Sequence, residues 1–96
     1  MDLVENQDLD KYYVEGEIYC GTSCTGFPEE LSSGILTVKT VKNQASEVII
    51  ATQTMSGIAA YGDNTLSRYE RFLFPKGMSK YNDEYSPWRE IKRTWL

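Results

Sequence analysis

The sequence predicts a mainly β fold, a small antiparallel sheet domain with long loops and at most a short helix. Three observations predict it. Ile35 to Val41 alternates, with Leu36 and Val38 on one face and Thr37 and Lys39 on the other, as a half-buried strand requires. A short polar break, Lys42 to Ala45, separates that run from the β-prone stretch Ser46 to Met55, so the two read as an antiparallel hairpin. Turn-forming Gly, Pro, Ser and Thr concentrate in Gly21 to Gly34, ahead of those runs.

In chain order, residues 1–10 form a lead-in in which Leu3 and Leu9 sit among acidic and amide residues, fitting a turn of helix or an extended segment. Tyr12 to Cys20 is rich in β-prone Tyr, Val and Ile and is interrupted by Gly16, which marks a bend. Gly21 to Gly34 is a long loop, with Phe27 and Leu31 as plugs into the core; loops of this length in small domains tend to bind or to move. In the second hairpin strand, Val48 and Ile50 are expected on one face, and Ile49, Ala51 and Gln53 on the other. After turns at Ser56-Gly57 and Gly62 to Asn64, the strand Ser67 to Phe74 places Tyr69, Arg71 and Leu73 on one side and Phe72 and Phe74 on the other. Both sides carry apolar groups, so this strand is expected to be covered twice, by its own core and by a further surface. Pro75 to Asp83 is the last loop and Tyr85 to Ile91 the last strand. There, Pro87 fixes one φ angle and Trp88 offers the largest apolar surface as an anchor; Arg89 and Glu90 face water, Ile91 turns back to the core, and 92–96 trail as a tail.

With 96 residues the chain supports one core, hence a single β domain over 1–96. Ten basic against fourteen acidic residues give a net charge of −4, and the basic ones are dispersed, so nucleic-acid binding is not expected. No apolar run approaches a membrane span, and membrane insertion is not expected either. The start, Met1 to Glu5, lacks the basic and apolar blocks of a secretory signal, which points to synthesis in the cytoplasm.

The chain has no histidine, which removes Ser-His and Cys-His nucleophile pairs and the commonest metal ligand. Cys20 and Cys24 supply two thiolates where a closed zinc site needs four ligands. A disulfide between them would close a very short loop and would need an oxidising compartment, so plain thiols are preferred, with no metal or cofactor expected. The adjacent carboxylates Glu29-Glu30 and Asp83-Glu84 point opposite ways on an extended chain and read as solvated loop charge rather than a glycosidase pair. The loop tyrosines Tyr61, Tyr81 and Tyr85 combine flat contact area with a hydroxyl, a pairing suited to sugar rings as well as to strand edges.

Asp8-Leu9-Asp10, Gly16 to Tyr19, Pro28, Gly34 to Val38, Gln53-Thr54, Tyr69-Glu70-Arg71 and the closing Tyr85-Ser-Pro-Trp-Arg-Glu-Ile91 occur in an order that resembles the pyocin-knob family. Those domains occur in bacteriophage tail fibres and receptor-binding proteins. The resemblance spans about Asp8 to Ile91, with Tyr85 standing where a first tryptophan is expected and a longer segment between Arg71 and Trp88. It implies a β-rich module of chains that assemble as trimers, and it implies no catalytic residues.

The expected function is therefore a non-enzymatic virion structural module that mediates assembly, host-surface glycan binding, or both. Its partners would be other virion proteins or further copies of itself, a homotrimer among them. Tyr61, Arg71, Tyr81, Tyr85 and Arg89 are the candidate binding residues, the arginines facing anionic sugars or phosphates. Pro87, Trp88, Phe72 and Phe74 are the candidate structural residues. The alternative is a small cytoplasmic phage-encoded inhibitor or adaptor that binds a host protein.

Overall fold

A computed structural model describes residues 2–58, 65–73 and 84–95. They form one six-stranded sheet in simple sequence order: β1 (Asp2–Val4), β2 (Gly16–Cys20), β3 (Gly34–Lys42), β4 (Val48–Ile58), β5 (Thr65–Leu73) and β6 (Arg89–Trp95). The mainly β expectation is met, and the predicted hairpin is β3–β4, closed by Asn43, whose side chain accepts from the amides of Ala45 and Glu47. Every neighbouring pair from β2 to β6 is antiparallel.

The exception is β1, which runs parallel to β2 and makes the sheet mixed. Parallel neighbours force the chain to cross the sheet between them. That crossing carries the 3-10 turn Leu9–Lys11 over the inner face, where Leu9 is fully buried and Asp8 caps the turn by accepting from Asp10 N. The lead-in is thus a strand followed by part of the core cover. The 21–33 loop forms the rest of that cover, joined to the crossing by Leu9 N–Thr25 O and Thr25 N–Gln7 O bonds of 2.9 Å each.

Period-two alternation sorts the side chains. Leu36, Val38, Met55 and Tyr69 point inward and pack with Leu9, Cys20, Cys24 and Leu31, with Phe27, Tyr12 and Trp88 partly buried against them. Both Phe27 and Leu31 serve as the predicted plugs. Tyr19, Ile35, Thr37, Thr54 and Arg68 point outward onto the other face, which forms an open concavity of about 800 Å³.

Several expectations are corrected. The strand expected from Tyr12 is β2 and begins at Gly16; Gly16 has φ +139°, a backbone position that L side chains rarely adopt, so the stretch before it turns off the sheet. Between Val41 and Lys42 the β3–β4 register shifts, so Ile49 is an extra residue and Val48 packs against the inner pair Ala51 and Leu73 instead of sharing a face with Ile50. A second shift between Arg68 and Tyr69 makes Ile91 the extra residue of β6, leaving it 42% exposed on the outer side rather than returned to the core. Residues 92–95 are not a tail but the second half of β6, paired to Arg68 through Thr65. The last strand starts at Arg89; Tyr85 makes only an isolated bridge to Leu73.

Phe72 lies on the face opposite Arg71, as expected, but is 39% exposed, so the second cover expected over this strand is not supplied by the described residues; Phe74 is outside them. No helix among the described residues is long and apolar enough to cross a membrane.

Leu36 is fully buried between Ile18 and Met55 in the sheet. Leu36→Ala is expected to lower the unfolding free energy by about 2 to 5 kcal/mol in urea titration, whereas the outward Thr37→Ala stays within roughly 1 kcal/mol of the parent.

Candidate functional site

Arg71 is the organising residue of the inner face. Its place on β5, between Tyr69 and Leu73, aims it into the core, and only 5% of its side chain is exposed. A buried guanidinium must be paired and hydrogen-bonded to be tolerated. Three segments that are remote in sequence meet that demand. Arg71 Nε donates to Gln53 Oε1 at 2.7 Å, and Nη1 donates to Asp10 Oδ1 at 2.7 Å. The Tyr85 and Trp88 rings then lie 4.7 and 4.1 Å from the guanidinium carbon, within cation–π range.

Each partner is itself held. Gln53 is fully buried and donates its amide to the carbonyls of Leu9 and Tyr12, both at 2.8 Å, which ties the crossing segment to β4. Tyr85 donates its hydroxyl to Tyr12 O at 2.7 Å, and Trp88 donates its indole N–H to Gly26 O at 2.8 Å. Gly26 has φ +92°, and a Cβ there would lie 2.9 Å from Asp10 Oδ1, so glycine is what lets the loop pass this close to the ion pair. Ser86 fixes the segment to the sheet twice, its N–H on Phe72 O at 2.8 Å and its Oγ accepting from Phe72 N at 3.1 Å. Pro87, which lacks an amide donor, is the exposed residue between these anchors.

Asp10, Arg71, Glu84, Tyr85, Ser86 and Trp88 thereby line a cleft of about 360 Å³. Burial lowers the Arg71 pKa, opposed by the bond to Asp10, and burial pushes the Tyr85 phenol up to about 12 against the pull of the nearby guanidinium. One donor in the cleft wall, Arg71 Nη2, is buried without a hydrogen-bond partner.

A second polar cluster lies where the 21–33 loop meets β6. Tyr69 donates its hydroxyl to Glu30 at 2.8 Å, and Arg93 binds both Glu30 and Glu90 as well as Thr65. Burial, reinforced by Glu30, raises the Tyr69 phenol to about 12. Glu30 is thus a clasp between loop and sheet rather than solvated loop charge. Cys20 and Cys24 are both free and buried, and Cys24 Sγ reaches Val4 O at 3.3 Å. Burial first, then the neighbouring Cys24, raises the Cys20 thiol to about 12, so it stays protonated at neutral pH. Among the described residues no three His, Cys, Asp or Glu converge as a metal site.

Of the five candidate binding residues, the fold brings Arg71 and Tyr85 together. Arg89 is on the outer face, 71% exposed and paired to Glu70, and so belongs to a different surface. Tyr61 and Tyr81 lie outside the described residues. Sequence reasoning missed Asp10, Glu84 and Ser86 as members of the cleft, and Gln53 as the buried partner of Arg71. A polar Gln53 on the core side of an apolar strand was the one available signal, since a buried amide needs buried partners. Comparisons with family models, with curated proteins and with solved structures found no match.

The sign of the pH dependence follows from the tyrosines. Tyr85 and Tyr69 have pKa values raised from 10 to about 12 in the folded chain, so the folded state holds these protons more tightly. Their contribution is complete below pH ~10 and is lost as pH rises from there toward ~12. Urea midpoints measured across that window are expected to fall. Tyr85→Phe should flatten the fall while costing about 1 kcal/mol at neutral pH, the worth of one buried hydrogen bond.

Proposed function

We propose that this chain is a non-enzymatic module of a bacteriophage virion appendage, acting through contact surfaces in assembly and host-surface recognition. The observation that carries the reading is the asymmetry of the sheet. One face is closed by the chain's own crossing segment and loop, while the other leaves Leu3, Tyr19, Ile35, Ile58, Phe72 and Ile91 exposed on a regular, extended surface. A single-layer sheet with an apolar outer face gains stability when another layer covers it. In a virion appendage that layer is a further copy of the chain or a neighbouring structural protein. The resemblance to pyocin-knob domains supports the same reading. So does the cluster of Arg71, Tyr85 and Trp88, which ties the closing motif of that resemblance to its central Tyr-Glu-Arg.

Light scattering after size exclusion is expected to give a multiple of 11.0 kDa for the isolated chain. Ile35→Asp, which places a charge on the outer face, should return the protein to a monomer with an unchanged circular dichroism spectrum. A monomer for the parent at high concentration removes self-assembly and leaves a neighbouring virion protein as the cover. Absence of the chain from purified virions, by mass spectrometry, overturns the virion role in favour of the cytoplasmic adaptor.

A further inference from the structure

The cleft on the inner side has features that the closed core does not explain. Arg71 is 95% buried by its 5% exposure, yet its Nη2 has no acceptor. An unmet buried donor costs free energy in the empty state that a ligand oxygen recovers. Around it the cleft offers Asp10, whose side chain is 60% exposed despite its bond to Arg71, the exposed Glu84 at the rim, and the half-buried Trp88 ring. Its volume of about 360 Å³ is that of a small-ligand site.

Charge decides what class of ligand fits. Among the described lining residues the one cation is already neutralised by Asp10, and Glu84 adds a further negative charge, in a chain whose net charge is −4. Among those residues a carboxylate or phosphate meets two carboxylates and no free cation, which opposes it. A neutral polyhydroxy ligand meets acceptors for its hydroxyl protons in Asp10 and Glu84, a donor for its oxygens in Arg71, and the aromatic ring of Trp88 for its C–H groups. We infer that the Asp10–Arg71–Glu84–Trp88 cleft is a binding site for an uncharged sugar, which deepens the recognition role proposed above and rests on it.

Arg71 Nη2 is buried, and the Trp88 ring lies 4.1 Å from the guanidinium carbon, so a sugar oxygen that pairs with Nη2 settles beside that ring. That residue is held to the cover by its indole bond to Gly26 O, and binding therefore reports at the Trp88 indole N–H.

The test is saturation-transfer NMR on the whole chain with the methyl glycosides of glucose, galactose, mannose and N-acetylglucosamine. Glucuronic acid, N-acetylneuraminic acid and inorganic phosphate form the anionic arm. At least one neutral glycoside is expected to receive saturation and to shift the Trp88 indole resonance, while the anionic probes do neither. Glu84→Gln, at an exposed position, should keep the fold and weaken that glycoside by about tenfold to a hundredfold, the loss of one charged acceptor. Saturation of no neutral glycoside overturns the inference, as does an unchanged affinity in Glu84→Gln or tighter binding of the anionic probes. Each of these results leaves the light-scattering and virion measurements untouched, so the sugar site and the virion role fail separately.

Discussion

Burial of the Arg71 guanidinium is the constraint on which the arrangement of this chain depends. A permanent charge on the core side of β5 cannot be left unsolvated. The chain meets the requirement by bringing Asp10 from the crossing segment, Gln53 from β4, and Tyr85 and Trp88 from the segment before β6 to one point. The same partners tie those segments to one another, through Gln53 to the carbonyls of Leu9 and Tyr12 and through Trp88 to Gly26. A cover with few regular backbone bonds of its own is thereby given a fixed position over the sheet. The apolar packing of Leu9, Leu36 and Met55 supplies the non-directional part of that attachment, and the Arg71 cluster supplies the directional part.

The parallel placement of β1 has a matching role. Had the chain entered at β2, the inner face would have lost the crossing segment, and with it Leu9 and both backbone acceptors of Gln53. Three residues of strand are a small element, yet their position beside β2 obliges everything between Glu5 and Glu15 to pass over the sheet. At the opposite end of the cover, Glu30 is clasped by Tyr69 and Arg93, so the loop is anchored on β5 and β6 as well as on the crossing. Long loops without such ties are mobile; this one is a wall of the core.

The two faces of the sheet consequently differ in kind. The inner one is finished by the chain itself. The outer one presents apolar side chains between small hydroxyl residues such as Thr37, Thr54 and Ser56, with the Arg89–Glu70 pair nearby. One is broad and the other carries a confined cleft; the Cys20 thiol is buried and protonated, and the carboxylates of Glu30 and Glu90 are engaged by Arg93.

Local patterning was enough to identify the β class, the β3–β4 hairpin, the shared face of Leu36 and Val38 and that of Tyr69, Arg71 and Leu73, and the plugs Phe27 and Leu31, because alternation and turn chemistry act over a few residues, though not that Arg71 faces the core. It also singled out Arg71, Tyr85 and Trp88, though not that they stack on one another. Tertiary structure alone decided the parallel β1, the two register shifts that moved Val48 inward and Ile91 outward, and the extension of β6 through residues once read as a tail. Each depends on which strand lies alongside, and strand pairing is a long-range contact with no local signature. The cleft was hidden for the same reason: Asp10 and Arg71 are 61 positions apart, and only the chain's passage across the sheet brings carboxylate and guanidinium within 2.7 Å.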